Sequence, residues 1–198
     1  LDGASVFAPA GPALLVVAAE RVVLRLAEGS SNTLYSGGGP PEGQPDAALF
    51  SRAPLSLEGA GHLLVLSRSA HGLVSERDLA LQDGVITVIA PDDGIRAENL
   101  TVSGGDLLVF AANDALKSTG EEEGSGLVLL SGGSLDLVAG GDGVQAERAL
   151  RLLGGSISVV SGGGHGVAPG EAATKGLKAG RELLIGGGEV RADSSDEA

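Results

Sequence analysis

Apolar and polar residues alternate in short runs along most of this chain, and the runs recur at intervals of about 21 to 23 residues. Each repeat contains three sets of apolar positions. The first set has one member per repeat: Leu49, Leu73, Ile95, Leu116, Val144 and Leu177. The second set consists of the pairs Leu55/Leu57, Leu79/Leu81, Leu100/Val102, Val128/Leu130, Leu150/Leu152 and Leu183/Ile185. The third set consists of the pairs Ile86/Val88, Leu107/Val109, Leu135/Leu137, Ile157/Val159 and Val190/Ala192.

Period-two alternation in runs this short predicts β-strands rather than helices. Glycine-rich corners separate the second set from the third, at residues 83–84, 104–105, 132–133, 154–155 and 187–188. Three short strands per repeat predict an all-β solenoid, a parallel β-helix of about seven coils. Parallel crossovers are almost always right-handed, so we expect a right-handed helix. We interpret residues 1–198 as one domain with an incomplete last coil.

The charge of the chain restricts its partners. The formal net charge is −13 and the pI about 4.5, so the phosphate backbone of a nucleic acid would be repelled. No apolar run is long enough to predict a membrane span. The chain begins at Leu1 without an initiator methionine, which favours a processed protein that acts outside the cell or at its surface.

Acidic residues recur at one turn of successive coils. Asp93, Asp114 and Asp142 occupy this turn, and Asp92 and Asn113 precede two of them. Stacking would bring these carboxylates close together, and their repulsion would need compensation. Ca²⁺ accepts six to eight oxygen ligands in flexible geometry, so these five residues are the predicted calcium ligands. The alternative is that each Asp bonds its own backbone in an Asx turn.

Two other features of the acidic turn bear on this prediction. Asp193 and Asp196 are expected near the equivalent turn at the end of the chain. A metal that prefers sulfur or imidazole would find no cysteine and only His62, His71 and His165, which favours calcium over zinc. His71 and His165 fall in the column of acidic turns, where either a metal ligand or a surface histidine is possible, and we interpret all three histidines as ordinary surface residues.

Several motifs, taken in order, resemble those of a bacterial family of calcium-binding, carbohydrate-binding β-helix domains. They are DDGIR at 92–96, GGDGV at 140–144, TKGLKAG at 174–180 and DSSDEA at 193–198, with entry segments at 28–34 and 47–51. The family is typified by a clostridial polygalacturonate-binding protein and is distantly similar to pectate lyases. Two departures from its pattern are the end of the chain at Ala198, where the family continues, and Gln145 in place of a base.

The resemblance implies an extracellular protein that binds calcium and acidic polysaccharide without catalysing a reaction. Four bases near the acidic turns, Arg96, Lys117, Lys175 and Lys178, are then candidates for contact with a carboxylate-bearing glycan. The alternative is that each base neutralises a neighbouring acid. A calcium-dependent polysaccharide lyase, with Lys117 or Arg96 as the base, is a third function to consider.

A structural role is the second function to consider. The chain begins inside an apparent coil and stops where another coil would start. An open solenoid end invites another chain, and head-to-tail stacking of such ends would give an extracellular fibre. This hypothesis predicts complementary ends, whereas a binding module needs an exposed, ordered face.

Overall fold

The computed structural model describes residues 1–167 and 174–195, whose regular secondary structure consists of 22 β-strands. The first eleven are β1 Ser5–Ala8, β2 Leu14–Val16, β3 Val22–Arg25, β4 Ser31–Ser36, β5 Ala47–Ser51, β6 Leu55–Glu58, β7 His62–Ser67, β8 His71–Ser75, β9 Leu79–Leu81, β10 Val85–Ala90 and β11 Ile95–Ala97. The others are β12 Leu100–Val102, β13 Asp106–Ala111, β14 Leu116–Ser118, β15 Leu127–Leu130, β16 Ser134–Ala139, β17 Val144–Ala146, β18 Ala149–Leu152, β19 Ser156–Ser161, β20 Leu177–Ala179, β21 Glu182–Ile185 and β22 Glu189–Ser194.

Every third strand belongs to the same sheet, and all the pairings are parallel. Sheet A has the order β1-β4-β7-β10-β13-β16-β19-β22, sheet B the order β2-β5-β8-β11-β14-β17-β20, and sheet C the order β3-β6-β9-β12-β15-β18-β21. The chain therefore visits sheets A, B and C in turn through seven complete coils and begins an eighth with β22. This confirms the prediction of a parallel β-helix with three strands per coil.

The three predicted sets of apolar residues form three in-register columns inside the coils. The first set lies in sheet B, where Leu49, Leu73, Ile95, Leu116, Val144 and Leu177 pair in succession. The second lies in sheet C and the third in sheet A. Together they form one continuous buried core. Alternation identified them because successive strand residues face opposite sides of a sheet.

The apolar columns extend further towards the N-terminus than the sequence pattern indicated. Leu34 of β4 is buried and pairs with Val65 of β7, so the sheet A column begins before Ile86. The period was hidden because a loop at 37–46, rich in glycine and proline, separates β4 from β5. Within the described residues, no helix has the length and hydropathy needed to cross a membrane.

Glycines at the corner between sheets C and A stack on one another. Gly133 has φ +86°, and a Cβ there would lie 2.8 Å from the carbonyl oxygen of Gly105 in the preceding coil. Gly124 has the same φ, but a Cβ there would meet nothing within 4 Å. The two positions therefore share the backbone cost of a side chain at positive φ and differ in steric space.

Replacing Gly133 with alanine is expected to destabilise the protein by about 2 kcal/mol more than replacing Gly124 with alanine, because only the first substitution forces neighbouring coils apart. Chemical denaturation of both variants measures the difference. Equal losses would mean that the close stacking at this corner adds nothing to the cost of positive φ.

Candidate functional site

The turn that leads from sheet A into sheet B places one residue per coil at equivalent positions, each two residues before the inward-facing residue of the sheet B strand. In coil order these positions hold Ala47, His71, Asp93, Asp114, Asp142 and Lys175. Three stacked aspartates, which we call the aspartate ladder (Asp93, Asp114 and Asp142), are thus flanked by a histidine in the preceding coil and a lysine in the following coil.

The aspartate ladder is buried and joins the coils to one another. The three residues are only 1%, 4% and 4% exposed. Oδ1 of Asp93 accepts a hydrogen bond from the backbone N–H of Asp114 at 3.3 Å. Oδ1 of Asp114 accepts from the N–H of Asp142 at 2.8 Å, and Oδ1 of Asp142 from the N–H of Lys175 at 2.8 Å. Each carboxylate thus bonds the backbone of the next coil, not its own turn.

The second carboxylate oxygen of two ladder residues faces a basic side chain. Lys117 Nζ lies 2.7 Å from Asp114 Oδ2, and Lys178 Nζ lies 2.7 Å from Asp142 Oδ2. The Gln145 amide, with its nitrogen turned towards the acids, donates to Asp114 Oδ2 at 3.0 Å and to Asp142 Oδ2 at 3.1 Å. Two of the four predicted sugar-contacting bases therefore neutralise neighbouring acids.

Burial by itself would lower the pKa of Lys117. The hydrogen bond to Asp114 and the charges of Asp93 and Asp114 outweigh that effect and raise the pKa of the Lys117 ammonium above its ordinary value. Lys117 is therefore charged throughout the neutral range. The Lys117 ammonium therefore forms its ion pairs with residues of the aspartate ladder.

The outward-facing residues of sheet B form a row in register beside the ladder. From the N-terminal side the row contains Phe50, Val74, Arg96, Lys117, Gln145 and Lys178. Arg96 differs from the two lysines, because within residues 1–167 and 174–195 its guanidinium makes no hydrogen bond or ion pair. It lines a cleft of about 360 Å³ together with Asp46, Phe50, His71, Val74, Ser75, Glu76 and Thr119. We call this feature the sheet B cleft.

His71 connects the cleft to the end of the aspartate ladder. Its Nδ1 lies 3.7 Å from Asp92 Oδ2 and 3.6 Å from Asp93 Oδ2, beyond hydrogen-bond distance. This Nδ1 is buried and makes no hydrogen bond. Buried polar atoms are almost always satisfied, so an unpaired one facing two carboxylates marks a place where a further group fits.

Our interpretation of His71 as an ordinary surface residue is therefore wrong. Its side chain is 19% exposed, and it occupies the position of the ladder in the preceding coil. The signal was present in the sequence, since Leu73 and Ile95 belong to the same apolar set and His71 and Asp93 each precede them by two residues.

The group formed by His71, Asp92 and Asp93 has the geometry of a cation site. One ligand atom from each residue lies within 4.8 Å of the other two. An ion equidistant from three atoms so spaced would lie no more than about 2.8 Å from each, close to the 2.3–2.6 Å range of calcium–oxygen bonds. Burial raises the pKa of Asp93, with the negative charges of Asp114 and Asp92 adding to the effect, while Lys117 and His71 oppose it.

The raised pKa of Asp93 has a consequence for stability. The folded protein binds a proton at this carboxyl more readily than the unfolded chain does. The contribution of Asp93 to the free energy of unfolding therefore falls as the pH rises from the unfolded pKa through the raised folded pKa. Above its raised folded pKa, the charge of Asp93 opposes folding, and a bound cation would relieve that cost.

The structure places the remaining predicted residues as follows. Asn113 Nδ2 donates to Asp93 Oδ1 at 2.8 Å and to Asp92 Oδ1 at 3.2 Å, so its amide nitrogen is directed at the acids. Asp193 lies inside β22 rather than at the turn, which corrects that expectation. There it bonds the backbone and the ring of His165, which lower the pKa of Asp193. Asp196 lies outside the described residues.

The fold and this surface together define a β-helix protein that presents a cation-compatible acidic group beside an arginine with no partner in the described part of the chain. A family model described as "Carbohydrate-binding domain-containing protein" matches residues 1–198. The chain belongs to this carbohydrate-binding domain family, and the family predicted from its motifs is confirmed.

Two individual proteins are similar to this chain. A carbohydrate-binding domain-containing protein of Acetivibrio thermocellus is 29% identical over 170 residues, which make up 82% of this chain and 59% of that protein. The chain thus corresponds to little more than half of the relative's length. Among solved structures, the polysaccharide lyase-like protein from C. thermocellum, a gadolinium derivative, matches with a TM-score of 0.83 and 25% identity over 96% of this chain and 76% of that chain.

Proposed function

We propose that this chain is a non-catalytic, extracellular module that binds acidic polysaccharide along sheet B, with a calcium ion at His71, Asp92 and Asp93 and with Arg96 as the direct contact to a sugar carboxylate. The observation that carries the proposal is the guanidinium of Arg96, which lines the sheet B cleft beside the cation-compatible group with no partner of its own among the described residues.

The distribution of charge favours sheet B as the surface that binds an acidic polymer. The chain as a whole has 13 basic and 26 acidic residues, so most of its surface repels a polyanion. On sheet B, four bases, Arg96, Lys117, Lys175 and Lys178, accompany Asp92 and the three aspartates of the ladder. This balance leaves the outer surface of sheet B less acidic than the chain as a whole, in which acids outnumber bases two to one.

The sheet B cleft has groups that can bind a carboxylate. A guanidinium binds a carboxylate through two parallel hydrogen bonds, and such charge-assisted pairs are the strongest of their kind. His71 also lines the cleft, so a cation held by His71, Asp92 and Asp93 would adjoin the same space as Arg96. A sugar carboxylate in the cleft would then meet positive charge from both groups.

Calcium is the ion we propose for this site. Two of the three ligand atoms are carboxylate oxygens, and Asp92 is 41% exposed, which leaves room for water or a sugar oxygen to complete the coordination. The solved relative is described as a gadolinium derivative, and gadolinium, like calcium, is a hard cation that prefers oxygen ligands. Of the three ligand atoms, only the His71 nitrogen is a type that zinc binds more readily than calcium does.

Replacing Arg96 with alanine is expected to weaken binding to polygalacturonate about 10-fold or more, because one charge-assisted contact is lost in the cleft. Isothermal titration calorimetry in buffered calcium measures the change. Arg151→Ala is the matched control, since Arg151 faces outward from sheet C, where it bonds Glu182. Equal affinities of Arg96→Ala and the original protein would contradict the role of the cleft.

The same samples test the absence of catalysis. We expect no ultraviolet-absorbing unsaturated product during incubation with polygalacturonate and calcium. Such a product, abolished by Arg96→Ala, would mean that the chain is a lyase with Arg96 as the base. The head-to-tail fibre hypothesis stays a prediction, for which particle size is the test, and export in the producing cell is the test of the extracellular location.

A further inference from the structure

The outer face of sheet A carries a continuous row of apolar side chains that the proposed function does not use. The row, which we call the apolar stripe, contains Tyr35, Leu66, Ile89, Phe110, Val138 and Val160. Phe7 of β1 continues it at one end, with its ring 5.6 Å from that of Tyr35, and Asp193 of β22 ends it at the other. Three of the four aromatic residues of the chain thus lie in one line.

The apolar stripe is open to solvent within the described residues. Ile89 is 39% exposed, Phe110 42% and Val138 40%, and Leu108 in the neighbouring row of the same face is 36% exposed. Single exposed apolar residues are ordinary, but a contiguous row of them usually marks an interaction surface.

We propose that sheet A is a self-association face, on which a second copy of this chain packs its own sheet A with the order of its coils reversed. The side chains of the stripe repeat at the spacing of the strands, about 4.8 Å. The stripe of another copy has the same repeat, so the side chains of two such faces can interdigitate along their whole length, as in face-to-face packing of β-sheets.

The size of the face suits a dimer. Eight strands at about 4.8 Å, each about 20 Å long, give a surface on the order of 700 Å². Stable interfaces bury about 800 Å² on each partner, so the whole face is close to the area that a dimer needs. A symmetric pair would also cover both stripes in a closed assembly, because the contact is the same on each copy.

The distribution of charge on the face selects the direction of packing. Outward residues of β1, β4, β7 and β10 include no acid or strong base, whereas those of the later strands include Asp106, Asp136, Glu189, Arg191 and Asp193. Packing with the same coil order would reverse the strand direction across the interface, so that full overlap of the two faces would place Asp136 on Asp136 and Asp106 on Phe110 and would separate the two stripes. Reversed packing sets the uncharged half of each copy against the charged half of the other.

Reversed packing pairs β10 of one copy with β13 of the other, so that Ile89 faces Phe110 across the interface.

Sedimentation velocity over a range of protein concentrations should show a mass approaching twice 19.4 kDa. The measurement is made at moderate salt, which screens the net charge of −13. Ile89→Lys and Phe110→Glu, each alone, should weaken self-association about 10-fold or more. The double variant should restore it, because each lysine then meets a glutamate of the other copy.

Two controls keep the outcome clear. Leu153→Glu places the same charge on a side chain that is 49% exposed at the corner between sheets C and A, and it should leave self-association unchanged. The chain has no cysteine, so mild oxidation of mixed Ile89→Cys and Phe110→Cys proteins should yield the mixed disulfide dimer in preference to either homodimer.

Three results would overturn the proposal. They are a monomer at every concentration, a dimer that survives both single variants, and a double variant that stays monomeric with no mixed disulfide. Long particles that are insensitive to the stripe variants would overturn it too and would support head-to-tail association instead. Polygalacturonate binding is measured separately, so failure of the proposed function leaves this test unaffected.

Discussion

Asp114→Ala is expected to lower the free energy of unfolding by about 3–5 kcal/mol, because the substitution removes the acidic partner of a buried charge pair. Lys117 would lose its 2.7 Å contact, and the backbone N–H of Asp142 would lose the only acceptor that it has among the described residues. The N–H of Asp142 lies between stacked coils, where water cannot readily replace the carboxylate, and the Lys117 side chain is only 22% exposed. We expect this loss to be the largest among substitutions at the turn.

Urea or guanidinium unfolding, followed by circular dichroism, measures the loss. Asp136→Ala is the matched control, since Asp136 faces outward from sheet A and its removal should change stability by no more than about 0.5 kcal/mol. Asp114→Asn should fall between the two, because it keeps an oxygen for the N–H of Asp142 and loses the charge that faces Lys117. A loss below about 1 kcal/mol for Asp114→Ala would mean that the ladder does not hold the coils together.

Calcium is expected to raise the free energy of unfolding by about 2.7 kcal/mol when the free ion is at 100 times its dissociation constant, as for any ligand that binds only the folded state. The physical reason is the burial of the Asp93 carboxylate, with the negative charges of Asp114 and Asp92 adding to its cost, which the bound ion would offset. Melting scans with buffered calcium and with a chelator measure the shift.

The calcium shift has its own control and its own contrary outcome. Asp92→Asn should abolish the shift with little effect on the calcium-free protein, because Asp92 is the exposed member of the group. Asp106→Asn, which alters an exposed acid on sheet A, should keep the shift. If neither calcium nor zinc changes the melting temperature, the three residues hold no metal and the aspartates serve only to join the coils. A response to zinc alone would assign the site to an ion that prefers the His71 nitrogen.

The sequence predicted which side chains of the candidate site are neighbours wherever that proximity follows from the repeat. Arg96, Lys117, Gln145 and Lys178 fall in one row because each lies one residue after a member of the apolar set, and parallel strands keep that register. His71 lies two residues before Leu73, as Asp93 lies two residues before Ile95, so the repeat also places His71 in the turn column. The repeat alone does not show whether this histidine is a ligand or a surface residue.

Other features could not be obtained from the repeat. The sequence placed Lys117 and Lys178 near acids, but it left open whether their charges meet a glycan or a neighbouring carboxylate. That choice depends on the direction of side chains between coils, and the structure assigns both lysines to the aspartate ladder. The tertiary structure likewise shows that the Arg96 guanidinium has no hydrogen-bond or ion-pair partner among the described residues, which the sequence could not predict.

The sequence by itself determined the strands, their three columns, the glycine corners and the stacked acidic turns, because in a solenoid each coil packs on the next and a periodic pattern is also a map of contacts. Only the tertiary structure decided which oxygen of each aspartate bonds which coil, that His71 completes the acidic group, and that one face of sheet A is apolar on its outer side. Those features depend on side chains of different coils meeting across a few ångströms, which the period locates but does not orient.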